Sequence, residues 1–205
     1  MQKGFSLIEV VVVLFVISLL TTNVLTLISA QRQWQKIQDT KTTLIEIEDA
    51  VLGFAAIHGY LPYPASNPET GIQDKNLNGK EAYLAWADLG VNSYDQWGNY
   101  FRYRVETEYS EKSFDFKKIF GIIGSGSGLR IRDKQGNYLT VKSGDSRVAA
   151  IIFSVGSNGI ADDDNSNLLK KTYVYDQYQK NSFDDILIYL SRNILIKYLH
   201  IYYEI

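Results

Sequence analysis

Apolar residues fill Val10 to Leu20 except at Ser18, and from Phe5 to Ala30 the only ionisable side chain is Glu9. A stretch of that length and character predicts a membrane-spanning helix over 5–30. Neither Gly nor Pro occurs between Phe5 and Leu52, so the helix is expected to continue beyond the span. Past Ala30 the apolar residues Trp34, Ile37, Leu44, Ile45, Ile47, Val51, Leu52 and Ala55 recur mainly at helical spacing. Gln31, Arg32, Gln35, Lys36, Asp39, Lys41, Glu46 and Glu48 occupy the positions between them. The pattern predicts an amphipathic second half over 31–58, lying on a globular head. Gly53 and then Gly59, ahead of Leu61-Pro62-Tyr63-Pro64, place the helix end near Ile57, for a total of roughly 80 Å.

Residues 59–205 suffice for one domain of ordinary size. Phe101 to Val105 alternates as a half-buried strand, and Leu129–Ile131 and Tyr138–Val141 flank the turn-forming Gln135-Gly136-Asn137. Val148 to Val155 is apolar enough for a central strand. An antiparallel sheet follows from these segments. Gly124-Ser125-Gly126-Ser127-Gly128 lacks the Gly-Lys-Ser/Thr of a phosphate loop and reads as a hairpin connection. Ser191 is suited to cap a last helix in which Ile194, Leu195, Tyr198, Leu199 and Tyr202 keep helical spacing. The fold class is α+β: one long N-terminal helix, membrane-spanning in its first half, packed on an antiparallel sheet.

Glu9 is the residue that narrows the function. A charge deep in a membrane-spanning helix costs on the order of 2.5 to 3.5 kcal/mol on insertion scales, and Glu9 sits roughly 6 Å along the helix from the Phe5 nitrogen. A positive group in the same layer, such as a free amine on Phe5 of a neighbouring copy, would answer it. Gly4-Phe5-Ser6-Leu7-Ile8-Glu9, behind the leader Met1-Gln2-Lys3, resembles the class III signal of type IV pilins and type II secretion pseudopilins. The resemblance implies cleavage after Gly4 by a prepilin peptidase, N-methylation of Phe5, and a Glu9 that neutralises the amine of an adjacent subunit during assembly. It implies as partners the peptidase, other pilin or pseudopilin subunits and an inner-membrane assembly platform. It also implies a single-pass protein of the bacterial inner membrane with its head in the periplasm, later part of a periplasmic or extracellular filament. The chain then divides into a leader over 1–4, a transmembrane or filament-core helix over 5–30, an amphipathic half over 31–58 and a head over 59–205.

An ordinary secretory signal fits less well. Leu25 to Ala30 offers a poor small-residue cleavage site, and Glu9 interrupts the start of the apolar region. A plain anchor has no use for Glu9. Lys3 lies before the span and Arg32, Lys36 and Lys41 after it, so charge asymmetry does not set the orientation, and a cytoplasmic N-terminus rests on the resemblance.

A net charge of −2 leaves no basic footprint for nucleic acid, and with no cysteine the chain forms no disulfide, unlike the many pilins that carry one. Leu61-Pro62-Tyr63-Pro64 followed by Asp95-Gln96-Trp97-Gly98-Asn99-Tyr100 is similar to stretches of pseudopilins and minor pilins. Trp97 reads as a buried anchor, and the aromatics Trp86, Trp97 and Tyr100 as core in preference to a ligand platform. Ile151 to Gly159 followed by Asp162-Asp163-Asp164-Asn165 resembles the strand and loop of major pseudopilins in which calcium is often held. Asp162, Asp164 and Asn165 are the oxygen ligands such a loop offers. Asp74, Asn76 and Asn78 match the first half of an EF-hand loop, but Ala85 stands where the bidentate acid is needed. Calcium is a candidate at either loop, and a solvated polar turn is the alternative at both. Phe183-Asp184-Asp185-Ile186 resembles the acidic-then-apolar stretch before the C-terminus of pilin-like proteins. Adjacent residues point different ways in regular structure, so Asp184 and Asp185 make a poor acid–base pair. His58 and His200 lie far apart in sequence, and no catalytic constellation is expected.

The function implied is a non-catalytic pilin-like subunit, a minor subunit in preference to a major one because the head is large and loop-rich. A membrane-anchored periplasmic ligand-binding module and a secreted enzyme are the alternatives of other classes. The first would retain Met1, and the second would lose the apolar segment.

Overall fold

The computed structural model describes residues 4, 6–110, 128–142, 144, 146–179 and 182–203, with backbone alone for 20–26 and 199–203. Phe5, leader residues 1–3 and most of the glycine-rich stretch at 124–128 lie outside the described residues. The chain forms two compact units, Met1–Gln38 and Asp39–Ile205.

A single helix, α1, runs over Leu7–His58 and ends one residue beyond the expected position, where Gly59 takes φ 77°. That left-handed conformation suits glycine and closes the helix, with the Gly59 N–H donating to the Ala55 carbonyl at 2.8 Å. In the first unit Leu7, Ile8 and the apolar residues from Val10 to Leu19 are exposed all round the helix. Among the described residues no helix is long and apolar enough to cross a membrane. The stretch expected to span, 5–30, includes Phe5 and the backbone-only residues 20–26.

In the second unit, Leu44, Ile47, Val51, Leu52 and Ala55 are buried, which is the i, i+3, i+4 stripe that the periodicity foresaw. Trp34 and Ile45 belong to the same apolar list but are exposed. Ile45 stands about 100° round the helix from Leu44, on the polar side.

Four strands make the main sheet in the order β1–β2–β4–β6: β1 Glu81–Tyr83, β2 Arg102–Val105, β4 Val148–Ser154 and β6 Ile186–Ser191. All three pairings are antiparallel. β4 is buried at every position because it has a neighbour on each side and is covered on both faces. A short helix, α2 (Trp86–Leu89), precedes β2. The last helix, α3 (Arg192–Tyr203), follows β6 directly, and the Ile194 N–H donates to Ser191 Oγ at 3.4 Å as a cap.

One pairing departs from the hairpin read from Gln135-Gly136-Asn137. β3 (Arg130–Arg132) pairs parallel with β5 (Thr172–Val174) in a separate two-stranded sheet. Of the expected second strand only an isolated bridge, Arg132 to Tyr138, is present. The local turn forms, braced by Asp133 accepting from Asn137, but the return chain leaves the ladder after one bridge. β3 and β5 are fastened to the main sheet from inside. Phe153 meets Tyr173 edge to face at 5.8 Å, and Arg104 Nη1 donates to the Lys170 carbonyl at 2.7 Å and to the Tyr173 hydroxyl. The Tyr173 hydroxyl in turn donates to Glu81 Oε2 at 2.5 Å.

Candidate functional site

Two places carry chemistry. The first is the start of α1, where the Ser6 N–H donates to Glu9 Oε2 at 3.0 Å. A carboxylate at this position satisfies a backbone donor that the first helical turn leaves without a partner and lies at the positive end of the helix dipole. Glu9 and Gly4 are exposed, and none of the described residues lies within 4 Å of the place a Gly4 side chain would begin.

The second is an acidic cluster in the head. Asp162, Asp184 and Asp185 bring one carboxylate oxygen each within 4.8 Å of one another. Asp162 stands at the N-terminal edge of the short 3-10 turn Asp163–Ser166, next to Asp163, whose φ of 48° is left-handed. Asp184 and Asp185 precede β6 in irregular backbone, so the alternation of a strand does not separate them and both reach Asp162. Adjacency in sequence had argued the opposite.

The three carboxylates are held by neutral donors. Asp184 Oδ2 accepts from Ser157 Oγ at 2.6 Å and from the Asn158 N–H at 2.8 Å. Asp162 Oδ2 accepts from the Asp184 N–H at 2.7 Å, and Asp185 Oδ2 accepts from the Asp162 N–H and Asn165 Nδ2, both at 2.9 Å. Among the described residues no lysine, arginine or histidine pairs with any of the three. The Oδ1 atoms of Asp184 and Asp185 are buried with no hydrogen-bond partner among the described residues. Burial, reinforced by the charges of Asp162 and Asp184, pushes the Asp185 carboxyl up to about 7.

The loop that presents these groups is fixed from two sides. Gly156 has φ 66°, and a Cβ there would strike the Asp184 carbonyl, so only glycine lets the chain leaving β4 pass this close to the acidic segment. On the other side, buried Asp95 accepts from the Trp97 and Asn99 N–H groups at 2.9 and 2.8 Å through Oδ1, and from Ser154 Oγ at 2.6 Å through Oδ2. Asn99 Nδ2 then donates to the Gly156 carbonyl at 2.7 Å. The Asp-x-Trp-Gly turn is therefore an anchor for the acidic loop. Its anchor is Asp95 rather than Trp97, which is only half-buried.

The residues read from the sequence divide accordingly. Asp162 is in the cluster. Asp164 is committed to two cations, Arg132 at 2.9 Å and Lys170 at 2.5 Å, which hold its carboxyl below the usual range. Asn165 is a brace: its Oδ1 accepts the Val174 N–H at 2.7 Å while its amide donates to Asp185. Asp74 caps its own turn through the Asn76 N–H at 3.0 Å, and Asn78 Oδ1 accepts from Ser110 at 2.5 Å. Asp74 and its neighbours thus form a self-satisfied turn. Of the aromatics, Trp86 donates to the Pro68 carbonyl at 2.8 Å and covers Gly71. Tyr100 lies against Tyr94 with the rings tilted by 35° and their centres 4.4 Å apart, beside a groove of about 460 Å³ that it shares with Tyr83 and Arg102.

Residues 1–22 match the family model for the prokaryotic N-terminal methylation motif, the signature of type IV pilin-like, prepilin-processed proteins. The chain thus carries the processing signal of a pilin-type protein at its N-terminus. No curated protein matches the chain, and no solved structure does.

Proposed function

We propose that the chain is a pilin-like structural subunit, a minor pilin or pseudopilin, assembled into a type IV pilus or a type II secretion pseudopilus. The observation that carries this reading is the match of residues 1–22 to the methylation motif. On this reading a prepilin peptidase cuts after Gly4, the Phe5 amine is methylated, and an inner-membrane platform draws the subunit into a filament. The exposed apolar surface that surrounds α1 from Leu7 to Leu19 supports it, because a helix apolar on every side needs lipid or other helices around it. Glu9 caps its own helix in the single subunit and meets the amine of the next subunit in the filament. The chain itself catalyses no reaction.

Calcium in the head is part of the proposal, with the ligand set revised. Asp162, Asp184 and Asp185 would hold it, and the buried Oδ1 atoms of Asp184 and Asp185 fit a hard cation that takes oxygen ligands. Its role would be to join the loop after β4 to the segment before β6.

Glu9→Val tests the filament reading. Membrane level and cleavage at Gly4 stay at wild type, because insertion loses only a penalty. Incorporation into sheared filaments falls about tenfold or more, because the partner amine is left without its counter-charge. Wild-type incorporation would contradict the assembly role of Glu9.

A further inference from the structure

The register of the main sheet sets Tyr83 of β1 directly across from Arg102 of β2, and Arg102 across from Phe153 of β4. Directly paired residues share one face of a sheet. Phe153 is buried and meets Tyr173 of the small sheet, whereas Tyr83 and Arg102, nearer the β1 edge, are only partly buried and line the groove of about 460 Å³. Asn99, Tyr100, Gly159 and Ile160 line it as well, and Ile160 is 69% exposed.

The groove combines rings, a donor and an acceptor. Tyr100 meets Tyr83 edge to face at 5.9 Å, and its hydroxyl accepts from that of Tyr94 at 2.7 Å, which fixes the ring. The Arg102 guanidinium lies over Tyr83, with Cζ 4.9 Å from the ring centre. Among the described residues its side chain makes one hydrogen bond, from Nη2 to Glu81 Oε1 at 3.0 Å, and its Nε is buried without a partner. Asn99 is in the complementary state. Its Nδ2 donates to the Gly156 carbonyl at 2.7 Å and to Asp95 Oδ2 at 3.4 Å, which sets the orientation of the amide. Its Oδ1 then accepts from none of the described residues. A Cβ at Gly159 would come within 3.2 Å of that oxygen, so glycine at this position leaves it uncovered.

Charge narrows the class of ligand. Glu81 and Arg102 are the only charged residues that line the groove among the described residues, and they are paired with each other, so no net charge remains to hold an anion or a cation. A purely apolar ligand would cover Arg102 and Asn99 without answering them, at the cost of burying unsatisfied polar groups. A sugar offers apolar C–H faces together with hydroxyls that both donate and accept. We propose that this groove binds a short neutral saccharide, with Tyr83 and Tyr100 against its C–H faces, Arg102 donating to its hydroxyls and Asn99 Oδ1 accepting from one of them. Its volume falls within the range of roughly 300 to 1,000 Å³ usual for small-ligand sites, and walls already held by hydrogen bonds reduce the ordering that binding requires. The site lies within one head and does not depend on whether subunits form a filament.

The test uses the full-length chain in a detergent without a sugar head group. Lactose, maltose, cellobiose and chitobiose are the neutral probes and sialyllactose is the acidic one, with binding read by saturation-transfer NMR and titration calorimetry. At least one neutral disaccharide is expected to bind with a Kd of about 1 mM or tighter. Tyr100→Leu removes a ring and its hydroxyl, and Ile160→Asp sets a charge at the exposed lip; each weakens binding about tenfold or more. Ile72→Ala, at an exposed apolar position outside the groove, leaves it unchanged. Thermal midpoints of the variants are taken alongside, and should Tyr100→Leu fail to fold, Ile160→Asp decides, since that side chain stands mostly in solvent. No binding of any neutral probe up to about 10 mM would overturn the proposal. Binding of sialyllactose without lactose would overturn the neutral class in favour of an anion at Arg102. Wild-type affinity in the folded variants would place the sugar elsewhere and overturn the groove as its site.

Discussion

Asp185 shows how one residue sets the pH behaviour of the head. Its carboxyl is pushed up to about 7 in the folded chain by burial first and by Asp162 and Asp184 second, whereas in the unfolded chain it titrates near its ordinary 3.8. Between those two values the folded state holds a proton that the unfolded state has released. The linkage sign is therefore negative: in chelator, this residue's contribution to stability declines as pH rises from about 4 to about 7 and levels off above that. On the calcium proposal the ion binds the ionised form and reverses the trend. Thermal midpoints of the full-length chain in detergent are thus expected to rise on adding calcium at pH 7.5, by much less at pH 5. Asp184→Asn should abolish the calcium response. Asp185→Asn should abolish it too, yet leave the chelated protein more stable than wild type above pH 7, because the cost of ionising a buried group is gone. A calcium response unchanged in both variants would place any bound ion elsewhere.

At the scale of elements, the long helix and the central strand were legible because their signals are local and redundant. Leu44, Ile47, Val51 and Ala55 repeat at helical spacing, and Val148 to Ser154 has no polar residue until its end. The β3–β5 pairing was not legible. The turn at Gln135-Gly136-Asn137 is a valid local signal, but the partner of Arg130–Arg132 is some 40 residues away, and β3 finds it through Tyr173, whose ring and hydroxyl are both claimed by the main sheet. The acidic cluster was half legible for the same reason. Asp162 and the pair Asp184 and Asp185 stand out in sequence, but only the close passage at Gly156 brings them together. Asp164 looks equivalent to Asp162 until Arg132 and Lys170 are seen to hold it. The Asp-x-Trp-Gly turn has a testable consequence here. Asp95→Ala removes the acceptor shared by Trp97, Asn99 and Ser154 and leaves those donors unanswered in a buried site. Stability should fall by about 2 to 4 kcal/mol, read from the denaturant midpoint, with calcium affinity weakened as well because Asn99 no longer holds Gly156. Loss of stability with calcium affinity intact would show that the turn and the acidic loop are independent.

For the whole molecule, one chain joins a helix with exposed apolar residues all round its first part to a head with a full core, and the pilin-type motif lies where the apolar surface begins. Entry into a filament depends, on the proposed function, on that motif being used. Gly4 presents no side chain to a protease and has none of the described residues packed on it, so the most direct measurement is the intact mass and N-terminal peptide mass of the mature protein from native membranes. The expected result is a chain that starts at Phe5 and carries one added methyl group. A chain that keeps Met1, or one that begins near Gln31, would contradict it.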